Sequence, residues 1–252
     1  MINILISIFF IIIFYFLNDY LKNIEKYQNI NSNITIILTS TVNINKKKSY
    51  LYQIDKNERI NTYLKSILQW LNKTNFNIIL VENSGYNFDE LNYEKDKYKN
   101  KFEVISFKET EISDAKYLMN NDSKGASEIF AINYAFKNSK LIKNIDKSNF
   151  IIKITARYFI PELEQYLSNY NLDEYDCLTQ NNRNRCEMVG SHVNNFKDIF
   201  NINLLNKNNV YDSLIENIWK YRTSKYNKIL ICKEFSIEST QRGGLFEQFT
   251  TI

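Results

Sequence analysis

The stretch from Ile34 to Val81 leaves few folds open. Ile34-Thr35-Ile36-Ile37-Leu38 is an apolar run of strand length, and Asn77-Ile78-Ile79-Leu80-Val81 is a second one. Between them Ile60, Tyr63, Leu64, Ile67, Leu68 and Leu71 fall at i, i+3, i+4, i+7, i+8 and i+11, the spacing of one apolar helix face. Strand, helix and strand in that order make a β-α-β unit, whose crossover is right-handed by default. The second strand runs straight into Glu82-Asn83-Ser84-Gly85, polar residues and a glycine where open α/β sheets bind their ligands.

The alternation continues. Phe102 to Phe107 reads as a third strand and is followed by a loop to Ser123. Lys124-Gly125-Ala126-Ser127-Glu128 then opens a helix with Ile129, Ile132 and Phe136 on its apolar face. Phe150 to Phe159 is a strand. Pro161, the only proline, opens a helix carrying Leu163, Tyr166, Leu167 and Tyr170. Short strands are expected at Tyr175 to Thr179 and Cys186 to Ser191, helices around Asn195 to Leu205 and Val210 to Tyr221, and a last strand at Ile229 to Cys232. The tail from Glu234 to Ile252 shows no clear element. The pattern predicts an α/β fold with a single doubly wound, mostly parallel sheet of Rossmann type. With 252 residues, 44% of them hydrophobic, residues 33–252 suffice for one core and one domain.

Ahead of that domain, Ile2 to Leu17 is almost continuously apolar, and sixteen helical residues reach roughly 24 Å against a hydrocarbon core of about 30 Å. Residues 1–18 read as an uncleaved membrane anchor, since no basic n-region or small-residue cleavage site is evident. Residues 19–32 read as a polar spacer. Lys22 and Lys26 follow the apolar stretch and no cation precedes it, so the globular part is expected to face the cytosol. A buried terminal helix is the alternative. The net charge of +4, from 32 basic and 28 acidic residues mixed along the chain, argues against a nucleic-acid groove. Cys177, Cys186 and Cys232 lack C-x-x-C spacing and read as free thiols. The single His192 excludes any mechanism that needs two.

No G-x-G-x-x-G follows a strand, and no P-loop, G-x-S-x-G or H-E-x-x-H motif occurs. What remains are polar clusters at strand ends: Thr39-Ser40, Glu82-Asn83-Ser84, Lys124 to Glu128, and Lys153 to Tyr158. In a doubly wound sheet all four can meet at one edge. Strand alternation puts Lys153, Thr155 and Arg157 on one face and Ile152, Ile154, Ala156 and Tyr158 on the other. The cationic face is an anion cradle if the strand is central, and a solvated surface if it is an edge. Arg is scarce beside Lys, which draws attention to Arg157, Arg183, Arg185 and Arg242. Glu82 could accept from a base or sugar hydroxyl, and the helix opening at Lys124-Gly125 offers backbone N–H groups and the positive end of its dipole.

A strand ending in Thr-Ser, an amphipathic helix, Ile-Ile-Leu-Val-Glu-Asn-Ser-Gly, a Lys-Gly-x-x-Glu helix and Ile-Lys-Ile-Thr-x-Arg-Tyr, in that order, resemble the GT-A-fold glycosyltransferases. The likeness spans residues 33–160 and is nearest a divergent microbial and large-virus branch with a Lys-Ile-Thr-Gly-Arg-Tyr type of motif. It implies a nucleotide-diphosphate sugar donor held by Thr39, Ser40, Glu82, Asn83, Ser84, Lys124, Gly125, Glu128, Thr155 and Tyr158, and a glycan or lipid-linked acceptor. The family's fourth strand normally ends in a metal-binding Asp-x-Asp. Here Thr155-Ala156-Arg157 stands there, which cannot bind a divalent ion through paired carboxylates. The resemblance then implies no metal or other cofactor, with Lys153 and Arg157 stabilising the leaving diphosphate. An inverting member would also need a carboxylate base, for which Glu187 and Glu238 are the candidates; a retaining one would not. A non-catalytic scaffold subunit of a glycan-assembly complex and a nucleotidyltransferase are the alternative readings.

Overall fold

A computed structural model of the chain describes residues 11–20, 34–44, 53–143, 150–242 and 246–252. Its strands are β1 (Ile34–Ser40), β2 (Asn77–Glu82), β3 (Phe102–Ser106), β4 (Phe150–Thr155), β5 (Cys177–Thr179), β6 (Met188–His192), β7 (Ile229–Ile231), β8 (Ser236–Gln241) and β9 (Gln248–Thr251). The helices that cover them are α1 (Lys56–Lys73), α2 (Asn92–Lys97), α3 (Lys124–Asn138), α4 (Lys140–Lys143), α5 (Leu163–Leu167), α6 (Phe196–Ile199) and α7 (Ile215–Thr223).

Seven strands form one sheet in the order β3-β2-β1-β4-β6-β5-β7, in which β6 alone runs antiparallel to its neighbours. Parallel strands covered on both faces read as continuous apolar runs, and every residue of β1 is buried. Alternate residues feed two separate cores. Ile36, Leu38, Ile78, Leu80, Ile152 and Ile154 pack with α1, α5 and the C-terminal segment. Ile37, Ile79, Val81 and Ile151 pack with α3, α6 and α7. The α1 periodicity holds: Ile60, Tyr63, Ile67 and Leu71 are buried, and Leu64 and Leu68 pack against the same core. Asp55 caps this helix by accepting from the Glu58 amide at 2.7 Å, and Ser123 caps α3 through the Ala126 amide at 3.2 Å.

Three expectations need correction. The strand expected to run to Phe159 stops at Thr155, where the chain turns, so Arg157 lies beyond the alternation that grouped it with Lys153. The helix expected over 195–205 is the single turn α6 preceded by a 3₁₀ turn, and the next begins only at Ile215. The tail is an antiparallel hairpin, β8–β9, sealed by reciprocal backbone bonds between Phe235 and Ile252 at 2.9 and 3.0 Å. Apart from these, residues 11–20 form an exposed helix, and among the described residues no helix is long and apolar enough to cross a membrane. Residues 1–10 of the expected anchor and residues 21–32 of the spacer lie outside the described residues.

Gly190 lets β6 fit between β4 and β5. A Cβ there would stand 2.7 Å from Phe150 Cε1 and 3.0 Å from Leu178 Cβ. Overpacking of this kind costs about 1–3 kcal/mol. Gly190→Ala is therefore expected to lower the urea midpoint with an unchanged m-value; an unaltered midpoint would contradict the tight β4–β6–β5 packing.

Candidate functional site

The strand order reverses at β1, which has β2 on one side and β4 on the other. Chain segments leaving β1 and β4 diverge at such a point and leave a crevice at the carboxyl ends. Register fixes what faces it: Thr39 lies opposite Thr155, and Ser40 opposite Glu82.

Beneath the crevice sits Lys153, wholly buried in a central strand. Its ammonium ion-pairs with Glu128 of α3 at 2.8 Å, donates to the Cys186 carbonyl at 2.8 Å and to Thr155 Oγ1 at 3.3 Å, and lies 5.1 Å from the centre of the Trp219 ring. Thr39 donates to the same Glu128 oxygen at 2.7 Å. Burial works against the Lys153 charge, but the Glu128 carboxylate, with Cys186 and Glu187 farther off, outweighs it and the pKa is raised. Lys153 is thus the internal partner of Glu128. This corrects the expectation that it meets a diphosphate.

Glu82 is equally committed. Fully buried, its carboxylate accepts from the amides of Val42, Ser84 and Tyr86 at 2.8, 2.9 and 2.7 Å and from the Ser84 hydroxyl. Burial pushes its pKa up, and those donors pull against the shift. It frames the loops after β1 and β2, and no oxygen is left pointing at a base. Asn83 accepts from Thr41 at 2.6 Å and donates to Glu109 at 2.5 Å, and Glu109 accepts in turn from Ser127 at 3.1 Å. Ser40 donates to the Val81 carbonyl at 3.1 Å. Gly125 has a packing reason, because a Cβ would come within 2.5 Å of Ile215 Cβ on α7.

The guanidinium of Arg157 is held differently. It is 8% exposed; Nη1 donates to the Gln241 carbonyl at 3.3 Å, while the buried Nε–H has no hydrogen-bond partner among the described residues. Trp70 positions this segment by donating from Nε1 to the Tyr158 carbonyl at 2.8 Å. The Tyr158 side chain packs in the α1 core, with its pKa pushed up to about 12 by burial. Half-buried Lys124 has a lowered pKa, first through desolvation; Glu216 and Glu128 oppose the shift, and the Arg157 and Arg242 charges add to it. Arg157, Arg242 and Lys124 therefore share one field.

The C-terminal hairpin closes this side. Arg242 ion-pairs with Glu187 at 2.6 Å, Arg185 approaches the same carboxylate at 3.4 Å, and both guanidiniums lie 5.1 Å from the Phe249 ring centre. Glu187, 5% exposed, is an anchor for two arginines, which leaves it badly placed as a base. Glu238 is exposed on β8, ion-paired with Lys65 of α1, and lines the same cavity as Arg157. Arg59 escaped the sequence reading: it is buried in α1 and binds the Thr41 and Gln53 carbonyls at 2.7 and 2.8 Å. A polar residue inside an otherwise apolar stripe was its only signal.

A divalent ion does not fit at the end of β4. Thr155 Oγ1 accepts from an ammonium, Ala156 is buried, and the next side chain is a guanidinium. Among the described residues no three His, Cys, Asp or Glu side chains cluster as metal ligands.

Fold and topology define a mostly parallel α/β protein with a switch point between β1 and β4. No known protein family and no individually curated protein matches the chain. Among solved structures it is similar to a provisionally assigned nucleotide-diphospho-sugar transferase from Desulfovibrio desulfuricans G20, with TM-score 0.45, 16% identity and 80% of each chain covered. It is also similar to the glycosyltransferase GlyE of Streptococcus pneumoniae TIGR4, with TM-score 0.45, 8% identity and 80% of this chain covered, spanning 45% of that one. A cytidylyltransferase from Leptospira borgpetersenii aligns with TM-score 0.42, 11% identity and coverage of 87% and 82%. At such values the functional reading has to come from the site itself.

Removing one member of a buried pair costs about 3–5 kcal/mol, and Glu128 retains some exposure that lowers the figure. Lys153→Met is expected to cost about 3 kcal/mol in chemical denaturation, and Lys153→Met with Glu128→Gln less than the sum of the single changes. Additive losses would contradict the pairing.

Proposed function

We propose that the protein transfers a sugar from a nucleotide-diphosphate donor to a glycan or lipid-linked acceptor, without a divalent metal. The observation that supports this reading is the β1/β4 switch point, where Thr39 is hydrogen-bonded to Glu128 and Lys124 opens α3, its pKa lowered in part by the charges of Arg157 and Arg242. In the proposed reaction the bond between the anomeric carbon and the diphosphate oxygen breaks, and its electron pair stays on the diphosphate. Arg157, Lys124 and the α3 N-terminus offset that charge. The acceptor hydroxyl attacks the anomeric carbon and yields its proton to Glu238, the more open of the two candidate carboxylates. Thr39, Glu128 and Lys153 act beneath, by fixing α3.

One observation favours the non-catalytic alternative: Glu82, Glu128 and Glu187 are all held by donors of the chain itself. Binding of nucleoside diphosphates with no turnover on any acceptor would establish that alternative.

Isothermal titration with a panel of nucleoside diphosphates tests the main reading. At least one is expected to bind equally in EDTA and in Mn²⁺. A charge-assisted contact is worth about 1.5–3 kcal/mol, so Arg157→Gln is expected to weaken binding by about 10–100-fold. A bound anion favours protonated Lys124, so affinity is expected to fall as pH rises through its lowered pKa towards 10.5. Lys124→Gln is expected to flatten that profile. No binding by any of the panel at millimolar concentration would sink the proposal.

We also infer that residues 1–18 anchor the protein to a membrane with the domain on the cytosolic side. The full chain is then expected in the carbonate-resistant membrane fraction, and a chain starting at residue 33 in the supernatant. Equal partition of the two would exclude the anchor.

A further inference from the structure

Helices that connect parallel strands run back against them, so α1 and α3 end at the amino edge of the sheet, opposite the crevice. Contacts hold them there. Lys101, just ahead of β3, donates to the Leu71 and Thr74 carbonyls at the end of α1, at 3.4 and 2.8 Å. Glu103, near the start of β3, accepts from the Ser139 hydroxyl and from the Lys140 and Leu141 amides at 3.1 and 3.3 Å, which ties down the end of α3 and the start of α4.

Residues 72–76, 96–101 and 137–143 of this edge hold seven lysines and one acid, Asp96, although the whole chain has a net charge of only +4. Lys73, Lys97, Lys99, Lys137, Lys140 and Lys143 are exposed, and none of them forms an ion pair among the described residues. Helix dipoles account for Lys73 and Lys137, in the last turns of α1 and α3. Lys99 lies outside any helix. The edge is not cationic throughout. Beyond β6 it turns acidic, with Asp173, Glu174 and Asp176 ahead of β5.

The cationic half surrounds the start of β1, which lies between β2 and β4. That position selects the occupant. Thirteen residues, 21–33, separate Ile34 from the exposed helix over residues 11–20, and thirteen residues span at most about 47 Å. The anchor inferred above would therefore tether the domain by its cationic half. A cytosolic leaflet carries anionic lipid and attracts basic residues held close to it.

We propose that the amino edge of the sheet docks on an anionic membrane surface through Lys73, Lys97, Lys99, Lys137, Lys140 and Lys143. The length of β1 then sets the crevice about 20 Å from that surface, opening away from the lipid. The tether rests on the anchor reading; the electrostatic contact does not.

Acetylation of the full chain, read lysine by lysine by mass spectrometry, tests this with vesicles of phosphatidylcholine alone and of phosphatidylcholine with phosphatidylglycerol. One lysine near an anionic surface is worth about fivefold in affinity, so labelling of Lys99, Lys140 and Lys143 is expected to fall by about fivefold or more in the anionic vesicles. High salt is expected to abolish the difference. Lys207 is expected to label alike in both, because its turn is joined through the Tyr211 hydroxyl to Asn121, ahead of α3 at the opposite edge. Lys97→Gln, Lys99→Gln, Lys140→Gln and Lys143→Gln together are expected to remove the protection of Lys73. A chain that binds both kinds of vesicle with equal labelling along this edge would overturn the docking and leave the anchor standing. Binding to the anionic vesicles alone, with these lysines protected, would uphold the docking and exclude the anchor. Binding to neither, or protection by an RNA oligonucleotide and not by anionic vesicles, would overturn the docking as well.

Discussion

An ammonium enclosed in the middle of a parallel sheet is the constraint from which the rest of the architecture follows. Lys153 cannot stay charged there alone, and the chain meets the requirement with one carboxylate from α3, one carbonyl from the segment before β6 and the ring of Trp219 on α7. Three elements distant in sequence are thereby set in fixed positions relative to β4. Because Glu128 also takes the Thr39 hydroxyl, the end of β1 joins the same assembly. Buried pairs of this kind contribute less to stability than to a defined geometry. The geometry defined here is the direction in which the first turn of α3 faces the switch point.

A second buried carboxylate does for the loops what Lys153 does for the helices. Glu82 gathers amides from both segments that leave β1 and β2, so neither loop can drift away from the sheet edge. Beside this inner set stand the cations Arg157, Lys124 and Arg242, the last ion-paired with Glu187, and the charges of Arg157 and Arg242 help to lower the Lys124 pKa while Glu216 and Glu128 oppose them.

The β-α-β unit and the main parallel strands were legible because each rests on local periodicity: apolar runs for β1, β2 and β4, and an i, i+3, i+4 face for α1. The hairpin was not. Ser236-Ile237-Glu238-Ser239-Thr240-Gln241 carries one apolar residue, and its pairing with β9 is invisible to any pattern within it. Arg157 was picked out through an alternation that ends two residues before it; past the end of β4 its side chain borders the cavity between α1 and the C-terminal hairpin. Lys153 illustrates the opposite limit. Its need for a partner was readable, but which carboxylate would supply it depended on how α3 lies across the sheet.

The seam between Phe235 and Ile252 shows how unevenly the molecule is assembled. Those two residues close the hairpin whose aromatic Phe249 backs Arg185 and Arg242 and whose Gln241 carbonyl steadies Arg157. No sheet strand from β1 to β7 pairs with it. Loss of Phe249 and Ile252 would therefore remove the backing of Arg185 and Arg242 and at the same time open the core beneath α1, into which Phe235, Ile237 and Ile252 are packed. The hairpin ties the posture of those arginines to the cohesion of the whole domain.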